Sequence, residues 1–263
     1  MSFQPVLALG GLAGWGFLKR TMAVQQAAQQ AVPANQRDEA YFRDRIGKID
    51  TAEQLVADKR LLRIALTAFG LEGDMNSGAF IRKVLTDGTL REGTLSGKLA
   101  NKQYQKLSAA FGFGDFSVPR TKLSDFPDKI LSQYRARQFE TAIGVQNNTY
   151  RLALNAQREL PAIAGQKITE TAKWFTILGN PPLREVVQTA LGLPKSFASI
   201  DIDQQVTVLK ARAAAAFGNE GVSQFANPAT LETLTQRFLT RSDSQAQAGT
   251  TSPGAIALLL LRR

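Results

Sequence analysis

The sequence predicts an all-α protein, a multi-helix fold built from two related helical units joined by a long helical connection. Three observations predict it. Apolar residues recur at helical spacing through the middle of the chain, sustained apolar–polar alternation is absent, and runs of Val, Ile, Thr and Tyr are rare. At 263 residues and 44% hydrophobic content, the chain carries enough apolar material for one large or two small cores.

Residues 1–50 read as an apolar segment followed by a lead-in helix. The stretch Pro5–Leu18 is apolar but holds Gly10, Gly11, Gly14 and Gly16, and it is too short to cross a bilayer as a helix. No basic residue precedes it, so it does not match a cleavable secretory signal. Trp15, Phe17 and Leu18 form an anchor that packs on the body of the protein or on a partner, because large apolar groups seek burial.

The first helical unit spans 51–138. Asp58 is placed as the N-cap of a helix whose Leu61, Leu62, Ala65, Leu66 and Phe69 make a wide apolar stripe, and Gly70 ends it. A connector, 139–172, carries a helix from Ile143 to Leu160 that breaks at or after Pro161. The second unit, 173–241, echoes the first. Asn180 stands where Asp58 does, Pro181 takes the first helical position, and Gly192 matches Gly70. Ala109-Ala110-Phe111-Gly112 is echoed by Ala215-Ala216-Phe217-Gly218, and a further helix follows each, starting near Ser124 and near Asn227-Pro228. Residues 242–263 read as a flexible Ser/Gln/Ala tail with an apolar end at Ile256 and Leu258, Leu259, Leu260 and Leu261. That end is too short to span a membrane and is adhesive if exposed.

Composition removes much chemistry. Without cysteine there are no disulfides, thiolate metal sites or thiol nucleophiles, and without histidine there is neither a His-dependent triad nor a usual zinc site. Gly70-Leu71-Glu72-Gly73 and Gly112-Phe113-Gly114-Asp115 follow helices and lack the Lys-Ser/Thr of a phosphate loop. Asp201 and Asp203 are placed at a helix start, where the positive dipole end favours acids. No catalytic, cofactor-binding or metal residues are assigned. The net charge of +10 raises nucleic-acid binding as an alternative, yet the cations are spread evenly. Their nearest cluster, Lys129, Arg135 and Arg137, is interleaved with Asp128 and Glu140 like a solvated helix face with salt-bridge neighbours.

The order of these landmarks resembles the alphaproteobacterial domain-of-unknown-function 1217 family. The resembling segments run from Gly10-Gly11-Leu12-Ala13-Gly14-Trp15 through Asp58-Lys59-Arg60-Leu61-Leu62 and Phe80-Ile81-Arg82-Lys83-Val84-Leu85. They continue through Gly179-Asn180-Pro181-Pro182-Leu183-Arg184 to Ser223-Gln224-Phe225-Ala226, and the likeness reaches Arg241. The resemblance implies a link with flagellar gene clusters and supplies no catalytic residues. The expectation is a non-enzymatic structural or assembly protein, cytoplasmic or flagellum-associated, without cofactor or small-molecule substrate. It would contact flagellar or other proteins, or itself, through Trp15, Phe17, Leu18 and the apolar end, with a membrane surface reachable through that tail. The alternative is a nucleic-acid-binding or regulatory helical protein using its positive charge.

Overall fold

The computed structural model describes residues 3–250, the side chains of 247–250 excepted. The described residues are all-α: thirteen α-helices and four short 3-10 turns, with no strand. The helices are α1 (Gly11–Gln30), α2 (Pro33–Ile46), α3 (Ala52–Ala57), α4 (Lys59–Phe69), α5 (Gly78–Asp87), α6 (Leu95–Lys98) and α7 (Gln103–Phe111). They continue with α8 (Phe126–Gln146), α9 (Asn148–Ala164), α10 (Glu170–Leu178), α11 (Pro181–Ala190), α12 (Ile202–Phe217) and α13 (Pro228–Thr250).

The chain folds as two compact units. Unit 1 holds residues up to Val6 together with Thr21–Ile143, and unit 2 holds Leu7–Arg20 together with the chain from Gly144 onward. The first half of α1 therefore belongs to one unit and its second half to the other. The expected connector is likewise divided, at 143/144.

Unit 1 is organised by α4. Asp58 accepts from the backbone N–H groups of Arg60 and Leu61, starting the helix, and the Leu61, Leu62, Ala65, Leu66 and Phe69 stripe is buried. Around it pack Phe42 and Ile46 of α2, Leu55 of α3, Ile81 and Leu85 of α5, Phe111 of α7, and Ile130 and Tyr134 of α8. The helix stops at Gly70, whose φ of 69° is left-handed, and Leu71 N–H closes the turn on the Leu66 carbonyl.

Unit 2 gathers α10, α11, α13 and the 3-10 turn Val222–Ala226 against α9. Trp174, Ile177, Leu183, Val187, Phe225 and Phe238 are buried there, with Trp174 edge-on to Phe225 at 6.5 Å. Asn180 caps α11 through Leu183 N–H. Gly192 has φ 71°, and Leu193 N–H bonds the Gln188 carbonyl just as Leu71 bonds Leu66. The resemblance extends to what covers each glycine: the Arg137 guanidinium lies over Gly70, and that of Arg241 over Gly192. Between the paired landmarks, however, unit 1 has the 3-10 turn Glu72–Asp74 and then α5 and α6, where unit 2 has one 3-10 turn, Lys195–Ser199. The correspondence is one of helix ends; a repeat of whole units is not what the element order shows.

Three other expectations are corrected. The helix expected to run unbroken from Ile143 is interrupted at Asn147, whose side chain accepts from Tyr150 N–H and caps α9, and it then ends at Ala164, after Pro161 as expected. Pro161 sits inside α9 near its end, where its carbonyl still accepts from Gly165 N–H. The tail expected to be flexible from Ser242 is helical to Thr250, since it has no proline before Pro253 and is rich in Gln and Ala. Finally, the face carrying Arg135 and Arg137 is not simply solvated. Arg135 donates twice to Glu39 of α2 at 2.9 Å, and Arg137 is largely buried beside Glu140.

Candidate functional site

The densest polar chemistry lies at the start of α10. Thr169 caps this helix by accepting from Ala172 N–H, which sets Glu170 and Lys173 on one face at an i,i+3 spacing. Lys173 is only 4% exposed. Its ammonium donates to the Ala164 carbonyl at 2.9 Å, to Glu170 Oε1 at 2.9 Å and to Ser223 Oγ at 2.6 Å. Ser223 stands on the turn Val222–Ala226; its N–H donates to Glu170 Oε2 at 3.1 Å, and its hydroxyl donates to Glu170 Oε1. Beside it the Trp174 indole N–H donates to the Glu220 carbonyl at 3.0 Å.

A serine between a lysine and a carboxylate is also how an activated nucleophile is built, so the hydrogen bonds decide what this one can do. Lys173 Nζ is engaged with three oxygens, the Ser223 hydroxyl oxygen among them, and the Ser223 hydroxyl donates to Glu170 and not to the lysine. Partial burial pushes the Glu170 carboxyl up, but hydrogen bonds from Ser223 and Lys173 outweigh it and leave the pKa at about 2. A carboxylate that acidic is a very weak base towards a hydroxyl. The geometry therefore makes a clamp: it fastens the turn Val222–Ala226 to α10 and to the last turn of α9. Glu170 and Lys173 are legible in the sequence as a helical pair, whereas Ser223, 50 residues from Lys173, gives no local signal.

A second polar cluster fastens α2 in unit 1. Asp38 accepts from Arg60 at 2.7 Å and from Arg63 at 2.6 Å. Partial burial raises the Asp38 carboxyl, and the two arginines more than reverse this, so its pKa lies below the usual carboxylate value. The linkage sign is the same for Asp38 and Glu170. A depressed folded pKa adds stability above the unfolded carboxylate value, and that stability is lost as pH falls through the folded one. Acid unfolding followed by circular dichroism should show stability falling from about pH 4.5 towards about pH 2, and Glu170→Gln should flatten that fall. An unchanged acid profile in Glu170→Gln would contradict the assignment.

The anchor residues of the N-terminal segment lie in unit 2. Trp15 and Leu18 are fully buried, Trp15 packs 5.9 Å from Tyr150, and Phe17 is half-buried. Tyr150 hydroxyl donates to the Gly11 carbonyl at 2.7 Å, and Lys19 pairs with Glu232 at 2.8 Å. Trp15 and Leu18 are both buried, Trp15 against the Tyr150 ring of the same unit. Ile256 and Leu258, Leu259, Leu260 and Leu261 lie outside the described residues. Unit 1 has a mostly apolar cavity of about 430 Å³ walled by Phe3, Val32, Thr67, Gln138 and Ala142. Among the described residues no group of acidic side chains is arranged to hold a metal ion, and no helix is long and apolar enough to cross a membrane.

A family model described as protein of unknown function (DUF1217) matches residues 68–231, more than half of the chain. The chain belongs to the DUF1217 family. The match starts inside α4 and ends in α13, a narrower span than the resemblance from Gly10 to Arg241, and it leaves α1, α2 and α3 outside. The fold of this DUF1217 protein is similar to a crystal structure of a protein from Agrobacterium tumefaciens, with a TM-score of 0.75 and 24% identity. That likeness covers 92% of this chain and 97% of the Agrobacterium chain. No curated protein matches the sequence.

Proposed function

We propose that this DUF1217 protein is a non-enzymatic structural or assembly protein that acts through protein–protein contacts at the bacterial flagellum. The observation that carries the non-enzymatic part is the closed hydrogen bonding of Glu170, Lys173 and Ser223, which spends its best-arranged polar groups on holding a turn to a helix. The flagellar part rests on the family resemblance. Exposed apolar side chains such as Val24, Ile200 and Ile202 support a role in contact with other proteins.

The test is complementation of a deletion strain in a motile host. Deletion should impair swimming, and both the parent gene and Ser223→Ala should restore it, because Ser223 is solvent-exposed and the Lys173–Glu170 pair survives its loss. Normal swimming in the deletion strain would remove the flagellar assignment. A folded Ser223→Ala protein that fails to restore swimming would instead give Ser223 a chemical role.

A further inference from the structure

The positive excess of unit 1 and most of its exposed apolar side chains occur in one stretch, Gly88–Leu123. It contains six Lys and Arg against two acids, while the rest of the unit is balanced at twelve and twelve. Of the two acids, Asp115 is turned inward, since its carboxylate accepts from Thr89 N–H at 2.6 Å, Leu90 N–H at 3.0 Å and Thr89 hydroxyl at 2.7 Å. These bonds pin the loop after α5 to the loop after α7, where Gly88 lies against Gly114. Held this way, the two loops present Leu90, 70% exposed, and Val118, 65% exposed, with Phe116 and Leu123 also exposed. Arg120 stacks over Phe116 at 5.0 Å, and Arg91, next to Leu90, is 72% exposed although its guanidinium donates to the Asp87 carbonyl at 3.2 Å.

We propose that this end of unit 1 is a docking surface for an anionic lipid bilayer, with Leu90, Phe116 and Val118 entering the headgroup–acyl boundary and Arg91, Lys98 and Arg120 meeting acidic headgroups. Apolar side chains amid cations are the two components of interfacial binding, and each adds to the other. The charge is complementary to an acidic surface and to no neutral one. A bound peptide would need a groove lined by these apolar side chains, yet three cavities of unit 1 have none of Leu90, Phe116 and Val118 in their walls, and only Arg91 borders one of them. Single-stranded nucleic acid would be met by stacked aromatic rings, whereas Leu90 and Val118 are aliphatic and gain nothing from phosphates.

The experiment is flotation of the full chain with vesicles of phosphatidylcholine alone and of phosphatidylcholine containing about one-third phosphatidylglycerol. Flotation is expected only with the anionic vesicles and should weaken as salt screens the headgroups. The variant Leu90→Ser, Phe116→Ser, Val118→Ser should partition at least about tenfold more weakly. Leu90→Ser with Val118→Ser alone keeps Phe116 on Gly112 and should weaken flotation while melting like the parent. Arg262→Ser with Arg263→Ser should float unchanged. Absent flotation, equal flotation on neutral vesicles, parent-like flotation of the triple variant, or loss on changing Arg262 and Arg263 alone would each overturn the proposal. So would a stoichiometric complex with an acidic protein that the triple variant abolishes while vesicles remain unbound.

Discussion

Replacing Lys173 with methionine is expected to lower the midpoint of thermal unfolding by roughly 10 °C. Methionine fills a similar volume, so the loss is electrostatic. Glu170 loses its cation, Ser223 loses a donor, and the Ala164 carbonyl is left facing a thioether. Removing one member of a buried pair costs about 3–5 kcal/mol. The lower end applies here, because the Glu170 side chain is 37% exposed and water can reach part of it. The coupling has its own signature. Glu170→Gln in the Lys173→Met background should cost less than the two single changes added together, since the second change removes the charge that the first had stranded. Melting by circular dichroism decides the matter; a Lys173→Met protein that melts within about 2 °C of the parent would show that the clamp carries no weight.

Gly14→Ala is expected to destabilise unit 2 by at least about 1–3 kcal/mol, the range for forcing atoms into a filled core. A Cβ at Gly14 would overlap the Leu9 carbonyl and the Tyr150 hydroxyl, so Tyr150 would have to leave the backbone it holds. Trp15, against the Tyr150 ring, should then emit at longer wavelength as it gains water. Gly16, two residues on in the same helix, is the control. Its Cβ would approach only the flexible end of Arg20 at 3.5 Å, and Gly→Ala inside a helix removes an entropic cost. Gly16→Ala should therefore be neutral or slightly stabilising, and equal behaviour of the two variants would refute the steric argument.

What the sequence made legible was local. Asp58, Asn180 and Asp201 accept from N–H groups two or three residues ahead, and Gly70 and Gly192 adopt left-handed backbone at once on leaving their helices. Each such device is completed within one turn, so residue type and spacing suffice to find it. What escaped depends on distant partners. The glycines of α1 gave no sign of their separate roles, of which one is that Gly14 allows the close approach of Leu9 and Tyr150. The end of α9 soon after Pro161 was legible, whereas the interruption at Asn147 depends on its side chain turning to cap the next helix. The arginines over Gly70 and Gly192, and Ser223 over Lys173, come from segments tens of residues away and leave no periodic trace.

The discontinuity of unit 2 has a consequence for the order in which a ribosome can finish it. Its first piece, Leu7–Arg20, emerges ahead of nearly all of unit 1, while Tyr150, which grips the Gly11 carbonyl, follows 139 residues later. Trp15 and Leu18 therefore remain without their core until most of the chain has been made, whereas nearly all of unit 1 is already contiguous when Ile143 appears. During synthesis the nascent chain carries an apolar segment that waits for its partner, and closing so long a loop is slow. Whatever shields residues 7–20 in that interval, whether transient burial or a chaperone, has to release them before unit 2 can be completed.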